Sequence, residues 1–117
     1  MSSSRKVLVV GGGIAGLTLA VALRRHAIAV DVVELAPRWD ILGVGISLTG
    51  PTLRALKSIG LIDPCVAAAF GFDRIVFADA AGREVGALAM PRLNGPDYPA
   101  TVAITSQAQG LRQSSTS

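Results

Sequence analysis

A chain of 117 residues has the length of one ordinary domain, and half of it is hydrophobic while only 16% is charged. With a mean hydropathy of +0.52, that composition excludes disorder over most of the length and calls for a packed core. The net charge of +3 comes from nine Arg and two Lys that are scattered and never run longer than two, so no basic stripe for nucleic acid is present, and five aromatic residues are too few for a base-stacking platform.

The single cysteine, Cys65, excludes an internal disulfide and a Cys-based zinc site, and predicts a reducing, cytoplasmic setting. Near the amino end, Arg5 and Lys6 precede seventeen uncharged residues, Val7 to Leu23, which has the look of a signal peptide or short membrane span. Gly11, Gly12, Gly13 and Gly16 interrupt that stretch. Each costs ~1 kcal/mol relative to Ala in a helix interior, so one continuous helix is disfavoured and no membrane partner is expected.

Lys6 to Val10 instead reads as a buried parallel strand running into a glycine cluster. Ile14, Leu17 and Val21 recur at helical steps up to Arg24, Arg25 and His26, whose charges suit the negative end of a helix. The lone histidine therefore needs no catalytic role. Ala29 to Leu35 then returns as a second β-branched strand. Pro51 opens an amphipathic helix with Leu53, Leu56 and Ile59 on one face and Arg54, Lys57 and Ser58 on the other, closed by Gly60. A short helical piece follows from Ile62 to about Ala69. The pattern next predicts one strand over Phe72 to Asp79, a turn through Ala80, Ala81, Gly82 and Arg83, and a return strand over Glu84 to Met90. Pro91, Gly95, Pro96 and Pro99 mark an irregular loop before a short strand at Thr101 to Thr105.

The strand–helix–strand start carries the most specific motif, Gly11-Gly12-Gly13-Ile14-Ala15-Gly16, which is G-x-G-x-x-G between strand and helix. Gly11 is expected to make the turn, Gly13 to let the backbone approach a pyrophosphate, and Gly16 to allow close helix–strand packing. The helix amino terminus, including Ile14 and Ala15, then offers free N–H groups and partial positive charge to phosphates. Glu34, at the end of the second strand, is placed to accept hydrogen bonds from ribose hydroxyls and to repel a 2′-phosphate. These features read as dinucleotide binding and leave FAD and NAD open.

VLVVGGGIAGLTLAVALRR, then VDVVE, then GVGISLTGPTLRALKSIGLID, resembles the amino-terminal part of FAD-dependent aromatic-ring hydroxylases, the group related to para-hydroxybenzoate and salicylate hydroxylases. The resemblance spans residue 6 to about 100. It implies an α/β, Rossmann-like FAD-binding βαβ unit with the start of a β-hairpin substrate sheet, in truncated form. The expected organisation is a partial FAD-binding domain over 1–105, with hairpin 72–90 belonging to the substrate sheet, and a disordered Ser- and Gln-rich tail over 106–117. The cofactor implied is FAD, with NADPH or NADH as reductant and a small aromatic molecule as the hydroxylated substrate in full-length relatives. Residues carried over as cofactor neighbours are Gly11, Gly13, Ile14, Ala15, Gly16, Glu34, Leu35, Val44 and Gly45, with Ile46 adjoining. No residue is assigned a catalytic role, because the flavin carries the chemistry.

Departures from the pattern are equally specific. Ala27 stands where the family often has glycine in a left-handed helix cap; Leu35 and Asp40 stand where arginines are common, with Arg38 nearby; and Ser106 replaces an Arg that opens a later helix. A truncated sheet would leave apolar edges, so homo-oligomerisation is expected. An NAD(P)-linked or other flavin oxidoreductase, or a catalytically inactive nucleotide-binding fragment, is the alternative reading.

Overall fold

The computed structural model describes residues 5–38 and 45–104. It is mixed α/β, and the chain divides into two compact units, Met1–Asp40 and Ile41–Ser117.

In the first unit, β1 (Lys6–Val10) and β2 (Ala29–Val33) pair in parallel, with Lys6 opposite Ala29 and Val10 opposite Val33, and α1 (Ile14–Arg25) makes the crossover between them. Parallel neighbours need such a crossover, and β-branched runs suit the strands on either side of it. Val9, on the face toward α1, is buried. The opposite face carries Leu8 and Val10, which are 61% and 79% exposed, beside an exposed Lys6–Asp31 ion pair at 2.6 Å. The helix itself buries no residue completely, and Ile14 is 72% exposed although its spacing with Leu17 and Val21 predicts an inward stripe. Two strands are too narrow to cover that helix.

The end of α1 bears out the concern over residue 27. Ala27 sits at φ +56°, the left-handed region, just beyond the His26 cap, and its N–H donates to the Arg24 carbonyl at 3.0 Å. Alanine in that conformation is disfavoured by ~1 kcal/mol relative to glycine. Ala27→Gly is therefore expected to stabilise the first unit by up to ~1 kcal/mol, read as a higher denaturant midpoint at unchanged slope.

In the second unit, β3 (Ile46–Leu48), β7 (Thr101–Ile104) and β4 (Phe70–Phe72) form an antiparallel sheet in the order β3-β7-β4. Helices α2 (Gly50–Ser58) and α3 (Ile62–Ala67) pack with it around Leu53, Ile62 and Val102, flanked by Leu48, Leu56, Val66, Ala69 and Tyr98. The amphipathic helix begins with Pro51 in its first turn, and Leu53 is fully buried while Arg54 and Lys57 are exposed. The hairpin is β5 (Arg74–Ala78) with β6 (Glu84–Ala89), bulged between Phe77 and Ala78.

One strand over Phe72 to Asp79 is not what forms. The run splits into β4 and β5 at Asp73, which belong to different sheets. Asp73 explains the break: its Oδ1 accepts from Arg92 Nε at 3.0 Å and from the Ala100 N–H at 2.8 Å, its Oδ2 accepts from Arg92 Nη2 at 2.7 Å, and its carbonyl accepts from the Met90 N–H. A side chain serving three donors fixes a corner where periodicity alone sees a continuous strand. At the hairpin turn, Asp79 Oδ1 accepts from the N–H groups of Ala81 and Arg83, both at 2.9 Å. Asp63 lies in the first turn of α3 and accepts from the Tyr98 hydroxyl at 2.7 Å.

The Arg92 guanidinium holds the Asp73 carboxyl below the ordinary range, and the Arg83 backbone N–H does so for Asp79. A depressed folded-state pKa contributes stability that is complete above the unfolded value and disappears as pH falls through the folded one. The melting temperature is thus expected to hold from neutral pH to about pH 5 and to drop progressively below the ordinary carboxylate range. Asp73→Asn should flatten part of that drop in thermal melts followed by circular dichroism.

Candidate functional site

The first unit brings together the predicted motif and the predicted acid. Gly11 leaves β1 at φ +105°, and its N–H donates to the Val33 carbonyl at 2.7 Å, which ties the turn to the end of β2. A Cβ on Gly16 would lie 2.0 Å from the Gly11 carbonyl oxygen and 3.2 Å from Val9 Cγ1, so α1 sits against the turn only because that residue has no side chain. A Cβ on Gly13 would meet nothing within 4 Å. The three glycines thus differ in kind: one turns, one faces open space and one is packed.

Gly13 is the N-cap of α1 and makes no side-chain cap, and no acidic residue stands in the first turn, where Ile14 and Ala15 are exposed. Such an end leaves backbone N–H groups and partial positive charge free for an anion. Arg24 and Arg25 occupy the opposite end, as the macrodipole favours.

Glu34 follows β2 directly. Its Oε2 accepts from the buried Gly12 N–H at 2.6 Å, and its Oε1 accepts from the Ala36 N–H at 3.1 Å. The N–H groups of Ala36 and then Gly12 hold its carboxyl below the usual range, so it is ionised at neutral pH. Each oxygen keeps a second lone pair for a hydroxyl donor. An open cleft of about 420 Å³ is lined by Val10, Gly11, Val33, Glu34 and Leu35, and another of about 490 Å³ by Leu17, Val32, Glu34, Ala36, Pro37 and Arg38. Leu35, 99% exposed, offers an apolar surface and no charge to the first; Arg38 lines the second.

Gly45 lies in the second unit, exposed and immediately before β3, with Ile46 as the first residue of that strand. Val44, Asp40 and the predicted tail fall outside the described residues. Sequence reasoning missed Gly12 and Ala36, since hydrogen bonds from their backbone N–H groups leave no mark in residue type. Among the described residues no cluster of His, Cys, Asp or Glu could hold a metal ion, and no helix is long and apolar enough to cross a membrane.

The geometry has the form of a nucleotide cradle, and comparison with known proteins assigns its family. Residues 4–114 match the family model described as FAD binding domain. The chain belongs to that family. Aurachin C monooxygenase/isomerase of Stigmatella aurantiaca is 46% identical over 69 residues, 59% of this chain and 18% of that protein. The FAD-dependent monooxygenase pynG of Aspergillus niger is 50% identical over 60 residues, 51% of this chain and 14% of that protein. The structure of Klebsiella pneumoniae HpxO complexed with FAD and uric acid superposes with a TM-score of 0.70 over 99% of this chain and 29% of that one, at 21% identity, a likeness of fold. This FAD binding domain chain therefore spans less than a fifth of the two curated relatives and under a third of the solved one.

Proposed function

We propose that this chain is the nucleotide-holding portion of an FAD-dependent monooxygenase that hydroxylates a small aromatic or similar molecule with NADPH or NADH as reductant. The observation that carries the reading is the Gly11–Gly16 turn, bonded through Gly12 to Glu34 in front of an uncapped helix. In this reading the N–H groups from Gly13 to Gly16 receive the pyrophosphate, and Glu34 receives the ribose hydroxyls. The wall of Val10, Val33 and Leu35 shields the adenosine half. The FAD, once bound, supplies the redox chemistry that amino-acid side chains lack. No protein residue is assigned to proton transfer.

The β5–β6 hairpin is read as the start of a substrate-covering sheet, with residues 1–105 forming a partial FAD-binding domain. The cytoplasm is the setting that suits a lone cysteine. The exposed Leu8 and Val10 suit association with a second copy.

The test is a titration of the chain with FAD, NAD and ADP, followed by flavin fluorescence and calorimetry. FAD is expected to bind more tightly than NAD, and Glu34→Arg is expected to weaken it by about tenfold or more, the order for losing a charged hydrogen-bond acceptor. Preference for NAD would favour a nicotinamide-linked oxidoreductase. Absence of binding to all three would make the chain a nucleotide-free scaffold and overturn the reading.

A further inference from the structure

Glu34 has more bonds in this structure than a ribose-binding acid requires. Its two carboxylate oxygens join two different backbone segments: Oε1 bonds the N–H of Ala36 two residues on, and Oε2 bonds the N–H of Gly12, in the middle of the glycine-rich turn. The local bond fixes the side-chain conformation. The long bond then holds the turn against the end of β2, beside the Gly11 N–H to Val33 carbonyl bond. Gly12 is buried, so its N–H has little access to water as a substitute partner.

We propose that Glu34 is a positioning residue for the glycine-rich turn: its carboxylate braces Gly12 before any nucleotide arrives, so that Gly13 and the start of α1 are already set for a diphosphate. The proposal deepens the functional reading above and rests on it for its ligand, although the brace itself is a property of the free chain. Chemically, the brace explains how a carboxylate can stand near an anion-binding turn without opposing it. Its charge is directed onto two N–H donors, and the turn it secures keeps other N–H groups facing outward.

The experiment has two arms on the full chain. In the first, amide hydrogen exchange is followed by NMR without ligand. Gly12 is expected to be protected in the wild type and to exchange about tenfold faster or more in Glu34→Ala, with β1 and β2 amides still protected, as for a buried N–H that loses its acceptor. In the wild type a nuclear Overhauser contact between the Gly12 amide and the Glu34 side chain is also expected. This readout survives even if the variant fails to fold. Unchanged exchange at Gly12 in a folded Glu34→Ala, or absence of that contact, overturns the brace.

In the second arm the probe is 2′,3′-dideoxyadenosine diphosphate, which has no ribose hydroxyls for a carboxylate to accept. If Glu34 served the ribose alone, its removal would leave this ligand's affinity unchanged or raise it, since a negative charge near a diphosphate is lost. A positioning role predicts the reverse, a loss of about tenfold in Glu34→Ala, with ADP falling further. Equal or tighter binding of the dideoxy compound overturns the proposal. If the wild type binds neither diphosphate, the functional reading falls, and the brace stands or falls on the exchange at Gly12.

Discussion

Gly16→Ala is expected to cost the first unit more than ~3 kcal/mol and to abolish its cooperative unfolding transition at room temperature. The added Cβ would lie 2.0 Å from the Gly11 carbonyl oxygen, which is backbone and cannot rotate away, and 3.2 Å from Val9 Cγ1. Either α1 retreats from β1 or the turn reopens, and both outcomes break the hydrogen bonds that join the turn to Val33 and Glu34. Gly13→Ala provides the contrast. Its Cβ meets nothing within 4 Å and its φ of −76° suits any residue, so stability should change by less than about 0.5 kcal/mol. Any effect of that substitution belongs to ligand approach. Urea unfolding followed by circular dichroism separates the two variants, and equal midpoints would contradict the packing described for Gly16.

Leu53→Ala is the corresponding lesion in the second unit. Leu53 is completely buried between Ile62 and Val102, and removing its isobutyl group leaves a cavity in a core of few fully buried side chains. Such truncations cost about 2–5 kcal/mol, and in a small unit the upper half of that range is expected. Leu56, half-buried on the same helix, should cost less when cut to alanine. A smaller effect for Leu53 than for Leu56 would show that the core is centred elsewhere.

The legible parts of the fold are those whose signals are local. Lys6–Val10, Ile14–Arg25 and Ala29–Val33 follow from β-branched runs, a helical step and a glycine cluster within one short stretch. The left-handed residue at Ala27 was legible through the family resemblance, which places a glycine cap at that position. The β3-β7-β4 sheet was only partly so: its strands are three or four residues long, too short for alternation to register, and its pairings join distant segments. The corner at Asp73 was hidden for another reason, since its partners Arg92 and Ala100 come from much later in the chain. At the candidate site, Gly11, Gly16 and Glu34 were readable from type and spacing. The bonds from Gly12 and Ala36 were not, because every residue has a backbone N–H.

The pairing distances along the chain also set an order of events during synthesis. Lys6 meets Ala29 and Val10 meets Val33, so the parallel pair, its helix and the Gly12–Glu34 bond need only the short stretch from Lys6 to Ala36 to assemble, as the cost of loop closure rises with loop length. Ile46 must instead wait for Ile104, and the second unit's sheet has no centre until β7 arrives. The Gly12–Glu34 bond is thereby available to the growing chain before the second unit's sheet has its central strand.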